Sequence, residues 1–504
     1  MTRQSSGRPG PTRLLDRIEP IAWIAAGAIL LRLLLFTGRG AYVAFDEGWY
    51  LLLGRNVWDG DGFRLSGLRH VALSPLFPLL AGGVDVLVDD IVWAGRLVAA
   101  VTSGLLVVPC WSILRRFATP RSALLGAGFV ALLPSLAPFV VAYWVGWDLW
   151  VGAEPVLHLF VYAGIALFLR ALEDGGIRSA AACGACFALA YLARPEAIVV
   201  FAVLGLGAAA FALWRGRPRP VQFMVCAAAF VVLSAPYWLY LHDALGRWTI
   251  TGRAVTAASG SSGQDGATPR NPIEQMLWQD DESRYVGTLY ALNPGGTELE
   301  NSYWGVQEER GTDAAPAVVR DSLARGAAAQ DGRRGAVASP GEAAGAAEAP
   351  SPLGLYVHAM LTIVPWFIWP LVLVGLVAPG GRRPLELLVI GPLLGASVII
   401  AIAVATDPRT QLVLAPLAAL YAARGVTVTG SLVDRRTSIG FRPGFVTAAL
   451  ASVLCVLLLG TSARRLYMSL AVGSPHHIVA AENERVGEAL AGTIPPDQAV
   501  MSWH

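Results

Sequence analysis

The sequence has no lysine, so all 38 of its basic side chains are arginine. Charge of either sign is scarce: 15% of the 504 residues are charged, against about 25% in an ordinary soluble domain. With 55% hydrophobic residues and a mean hydropathy of +0.54, the composition excludes a simple soluble fold and points to a membrane protein. The formal net charge of +2 is too small, and its arginines too dispersed, for a nucleic-acid partner. The five cysteines are odd in number and all lie in apolar runs, which argues against a disulfide framework. Cys183 and Cys186 form a C-x-x-C among small apolar residues and read as helix, not as a redox or metal motif. No G-x-x-x-x-G-K-[ST], no H-x-x-x-H and no convincing G-x-G-x-x-G is present, so nothing indicates ATP, a nicotinamide or a dedicated zinc cage.

A hydrocarbon core about 30 Å thick asks for around 20 apolar residues per helix. Stretches of this kind run over about 18–37, 74–88, 91–114, 122–142, 149–169, 179–193, 197–214, 221–241, 353–378, 385–405, 410–423 and 444–461. The second is short, begins Ser-Pro-Leu-Phe-Pro and is interrupted by Asp85, so it reads as an interfacial helix in the first external loop. About eleven transmembrane helices follow, giving an all-α polytopic membrane protein. With the N-terminus cytoplasmic, every short inner loop collects arginines, Arg115, Arg116, Arg215, Arg382 and Arg424 among them. The C-terminus is then extracytoplasmic.

Residues 1–17 read as a basic cytoplasmic N-terminus leading into an uncleaved anchor, and 18–461 as the membrane core. Within that core, residues 38–73 form an external loop. A second external loop, 242–352, ends in an Ala/Gly/Glu/Pro-rich stretch expected to be disordered; its middle carries Trp278, Tyr285, Tyr290, Tyr303 and Trp304. Residues 462–504 read as an extracytoplasmic tail resembling the start of an α/β unit cut short.

Charges near the membrane are costly, about 2.5–3.5 kcal/mol at a helix centre, so the few outside the positive-inside pattern are informative. Asp46-Glu47 lies just past the first span, flanked by Phe45, Trp49 and Tyr50. Partial desolvation and the neighbouring charge would both raise a carboxylate toward general-base range. The alternative is a solvated loop or helix cap. Arg194-Pro195-Glu196 falls between two closely spaced apolar runs, which predicts a tight external turn. Arg194 there must pair with Glu196, with Glu154 or with an anionic ligand. Arg409 raises the same question at another external helix end, and two guanidinium forks suit one phosphate. Glu154-Pro155 reads equally as helix N-terminal chemistry, and His158 as a packing histidine.

In this order, these residues resemble the membrane-embedded C-type glycosyltransferases that use polyprenyl-phosphate sugars, especially the branch of protein O-mannosyltransferases and lipid A aminoarabinose transferases. The match runs over most of 18–461: Asp46-Glu47 with Tyr50, Gly60-Asp61-Gly62, Ser74-Pro75-Leu76-Phe77-Pro78, Trp93-Ala94-Gly95-Arg96-Leu97, Glu154-Pro155, Ala193-Arg194-Pro195-Glu196, Ser234-Ala235-Pro236 and Arg409. Ser74 stands where the family commonly has a first proline, and the loop after Gly252 is unusually long.

The resemblance implies an inverting transfer of one sugar from a polyprenyl-phosphate donor to an extracytoplasmic acceptor: a protein, glycan or glycolipid. It implies a plasma-membrane enzyme with Asp46 as base and Glu47 positioning the acceptor. Arg194 and Arg409 would bind the donor phosphate, with Arg96, Glu154, Glu196 and Tyr50 in support. Relatives with a divalent ion at the acidic loop and relatives without one both exist, which leaves a divalent metal open. The rival is a secondary transporter of envelope precursors, which would need polar or broken positions near helix centres; apart from Arg32 the spans offer few. A non-catalytic scaffold would leave Asp46 replaceable.

Overall fold

A computed structural model describes residues 19–37, 46–65, 68–133, 152–216, 219–252, 289–292, 299–302, 352–378, 383–403, 411–436 and 444–471. The chain is a bundle of helices. A backbone in hydrocarbon must satisfy its own hydrogen bonds, and the long apolar runs do so as α-helix. In order these are α1 (Pro20–Thr37), α2 (Asp46–Asp59), α3 (Leu76–Val88), α4 (Ile91–Leu105), α5 (Val107–Leu114), α6 (Pro120–Leu132), α7 (Glu154–Asp174) and α8 (Ile177–Ala193). Then come α9 (Ala197–Arg215), α10 (Pro220–Leu245), α11 (Pro352–Ile363), α12 (Trp369–Val377), α13 (Arg383–Ala403), α14 (Ala415–Arg436) and α15 (Phe445–Ala471). Two short antiparallel hairpins complete the described residues: β1 (Arg64–Leu65) with β2 (Leu68–Arg69), and β3 (Leu289–Leu292) with β4 (Leu299–Ser302).

Seven described segments are long and apolar enough to cross a membrane, and further apolar helices of 10–17 residues stand beside them. The α3 helix, 13 residues or about 20 Å long, is too short to span. Large side chains such as Leu206, Leu213, Val232 and Val456 face outward, as lipid-facing positions do.

Four boundaries differ from expectation. The 38–73 segment contains α2 and the β1–β2 hairpin, because Trp49, Tyr50, Leu51 and Leu53 bury against the bundle and so favour helix. The 353–378 run breaks at Pro365, which cannot donate a backbone N–H, into α11, a 3-10 turn at Trp366–Ile368 and α12. Helix α14 runs past Ala423 to Arg436, so Arg424 lies inside a helix and not in a loop. Helix α15 runs past Thr461 to Ala471. Residues 1–18 and 472–504, most of the 242–352 segment, and 134–151 lie outside the described residues.

Helix α7 packs against α8, and α8 against α10; α12 packs against α14, α9 against α13, and α2 against α3. Close approach needs small residues. A Cβ on Gly54 of α2 would meet the Pro78 carbonyl oxygen of α3 at 2.5 Å, and one on Gly82 of α3 would strike both Gly54 and Trp58.

Candidate active site

The expected tight turn is present between α8 and α9. The Arg194 N–H closes α8 onto Ala190 O at 2.9 Å, and the Arg194 and Glu196 carbonyls accept the first N–H groups of α9. The turn is a hub of buried charge. Arg194 donates from Nε to Glu196 at 3.3 Å and from Nη2 to Glu196 at 2.9 Å, while Nη1 donates to Glu154 Oε1 in the first turn of α7. All three side chains are about nine-tenths buried. Burial works against the charge on Arg194, but the Glu196 and Glu154 carboxylates outweigh it and hold the guanidinium well above its ordinary range. Three of its five N–H donors are thus engaged by carboxylates. Two carboxylates thus share this guanidinium.

Helix α2 brings the acid pair to the same neighbourhood. Asp46 and Glu47 form its first turn, where the helix dipole favours negative charge. Tyr50, one turn on, is buried, meets Phe77 edge-on at 5.4 Å, and sits close enough to Arg194 to act on its charge. The side chains of Asp46 and Glu47, and the whole of Arg409, lie outside the described residues.

Arg96 is buried within α4 with its guanidinium 5.1 Å from the Trp93 ring and 5.9 Å from the Phe36 ring, a stacking geometry that holds a cation against apolar walls. Arg32, buried within α1, donates to Ala28 O at 3.0 Å and to Ala131 O at 3.1 Å, tying α1 to the end of α6.

Sequence reasoning named Glu154 and His158 but missed Tyr162, which continues them as a polar stripe on α7. The three recur every fourth residue in an otherwise apolar helix, and that spacing was the available signal. The Tyr162 hydroxyl donates to Val413 O at 2.8 Å, fixing the 3-10 turn Leu412–Leu414 that follows the Arg409 segment. Gln411 is held there too, accepting from Ser397, which contacts the Tyr356 hydroxyl at 2.9 Å. One face of α7 therefore touches both the Arg194 turn and the 3-10 turn Leu412–Leu414. No three His, Cys, Asp or Glu side chains gather as a metal would need among the described residues.

No protein-family model matches the sequence, and no curated protein matches it. Solved structures match the fold. ArnT from Cupriavidus metallidurans bound to undecaprenyl phosphate superposes with a TM-score of 0.51 and 13% identity, over 95% of this chain and 82% of that one. The oligosaccharyltransferase of Archaeoglobus fulgidus, tethered to an acceptor peptide containing the NVT sequon, superposes with a TM-score of 0.50 and 14% identity, over 90% of this chain and 56% of that one. The chain thus spans little more than half the length of the archaeal enzyme. At these identities the similarity concerns architecture: the chain has the fold of polytopic membrane glycosyltransferases.

Proposed function

We propose that the protein is an inverting plasma-membrane glycosyltransferase that moves one sugar from a polyprenyl phosphate to an extracytoplasmic hydroxyl acceptor. The observation supporting this reading is the buried Arg194 hub, with Tyr50, one turn along α2 from Asp46-Glu47, close enough to act on its charge, in a fold otherwise seen in membrane glycosyltransferases. Asp46 takes the proton of the acceptor hydroxyl as that oxygen attacks the anomeric carbon, and Glu47 positions the acceptor. The bond from the anomeric carbon to the phosphate oxygen breaks, and its electron pair leaves with the polyprenyl phosphate. Arg409 and the Arg194 N–H groups not engaged by carboxylates stabilise that charge. Glu154 and Glu196 fix the Arg194 fork, and Arg96 braces the acidic turn.

In this reading the N-terminus is cytoplasmic, and the acidic turn, the Arg194 turn and the 242–352 segment face outward, where an acceptor arrives. A transporter of envelope precursors is less well supported, because the polar groups gather at helix ends. The test uses purified protein in liposomes with a panel of polyprenyl-phosphate sugars. Transfer with release of polyprenyl phosphate, lost in Asp46→Asn, is the expected result; full activity in Asp46→Asn removes that residue from the mechanism.

A further inference from the structure

The end of α8 is joined to the 38–73 segment by a second route besides Tyr50. Tyr191 is buried one turn, about 5 Å, before Arg194 along the chain of α8. Its hydroxyl accepts from Trp238 Nε1 of α10 at 2.8 Å and donates to Ile250 O, in the short segment that follows α10. The Thr249 hydroxyl closes that segment on itself, donating to Thr251 O at 2.8 Å and accepting from the Thr251 N–H at 3.3 Å. Two residues past Ile250, Gly252 is buried against Val71, where a Cβ would meet the Val71 carbonyl oxygen at 2.1 Å. Residues 249–252 therefore touch α8 on one side and the 38–73 segment on the other.

The chain around Val71 is itself pinned. His70 Nε2 accepts the Leu73 N–H at 2.9 Å, and the Tyr240 hydroxyl of α10 donates between Phe63 O at 3.0 Å and His70 O at 2.8 Å, at the two ends of the β1–β2 hairpin. Asn56 Nδ2 donates to Arg64 O at 2.8 Å and so ties the hairpin to α2, the helix that begins with Asp46 and Glu47. A continuous line of contacts runs from the end of α8 through residues 249–252 and the hairpin to the acid-bearing helix. A displacement reaction is sensitive to such spacing, since a shift of about 1 Å costs on the order of 10²-fold in rate. We propose that Tyr191 is a positioning residue: through residues 249–252 it sets the separation between the Arg194 turn and α2. This inference rests on the glycosyl transfer proposed above. Tyr191 touches neither substrate in this role, so it acts on kcat and not on KM.

The experiment measures transfer in liposomes and amide hydrogen exchange for Tyr191→Phe, Gly252→Ala and Trp238→Phe. Tyr191→Phe keeps the ring and removes the bond to Ile250. Its kcat should fall about 10-fold or more with little change in KM for donor or acceptor, and peptides covering 68–74 and 249–252 should exchange faster while the bundle helices keep their protection. Gly252→Ala breaks the same line at its other contact, so it should show the same pattern, and the double variant should be no slower than the slower single one. Trp238→Phe leaves the Tyr191–Ile250 bond in place and should retain most of kcat. Equal losses in Tyr191→Phe and Trp238→Phe, additive losses in the double variant, or unchanged exchange over 68–74 assign Tyr191 to packing between α8 and α10 and overturn the proposal. Absence of transfer from every donor by the wild type instead overturns the reaction itself, and the inference with it.

Discussion

Two buried ion clusters stand at opposite ends of the bundle and are built from the same residue types. Helices α9 and α13 pack antiparallel, with Val203 against Gly395 and Gly207 near Leu388. The Arg194 hub at the start of α9 is therefore about 20 Å from Glu386 at the start of α13. At the far end, Glu386 is fully buried; Arg424 Nη1 donates to its Oε1 at 2.9 Å and Arg383 Nη1 approaches its Oε2 at 3.5 Å. The same two arginines cap the last carbonyls of α12: Arg383 bonds Leu376 O at 2.7 Å and Val377 O at 2.9 Å, and Arg424 bonds Ala378 O at 2.9 Å. That cluster has two cations to one acid, and neither Glu386 oxygen is left unmatched. At the Arg194 turn two acids share the Arg194 guanidinium, and Oε2 of Glu154 is buried with no hydrogen-bond partner. A saturated cluster fastens helices; one with a polar atom to spare has capacity for a further contact.

Substitutions can break this contrast. The largest effect is expected for Asp46→Asn, the proposed base: kcat should fall by about 10²–10⁴-fold, the range of a lost general base, with the melting temperature in detergent unchanged. An equal loss of stability would place the residue on the fastening side of the comparison. Glu386→Ala strands a buried guanidinium and should cost about 3–5 kcal/mol in reversible unfolding, with turnover per folded molecule preserved. The paired change Glu386→Leu with Arg424→Leu should recover most of that stability, since removing both partners leaves no orphan charge. Arg194→Lys keeps the charge but cannot fork between two carboxylates. A fall of about 10-fold or more in kcat/KM for the donor should follow, together with about 1–2 kcal/mol of stability. The smallest change is expected for Arg383→Ala, whose side chain is 41% exposed: about 1 kcal/mol and no effect on transfer.

Much of this architecture was legible from apolar run lengths, since hydrocarbon admits few alternatives to helix. The tight turn at Arg194 was legible too, because the runs on either side leave no room for a loop. What escaped depended on tertiary packing. Asp46–Asp59 was read as loop because its sequence mixes acids, glycine and aromatics, and only burial of Trp49, Tyr50 and Leu53 makes the helix worthwhile. Arg424 was counted among loop arginines because nothing local announces Glu386, 38 residues away, as its partner.

The contact between Gly54 and Gly82 bears on how the acid pair keeps its place. With no Cβ on either side, the two short helices lie backbone to backbone and must move as one body. Asp46 and Glu47 thus sit at the tip of a stiff two-helix arm whose far limb enters α4 through the Asp90 cap. Any shift at their end would have to be carried by the entire arm.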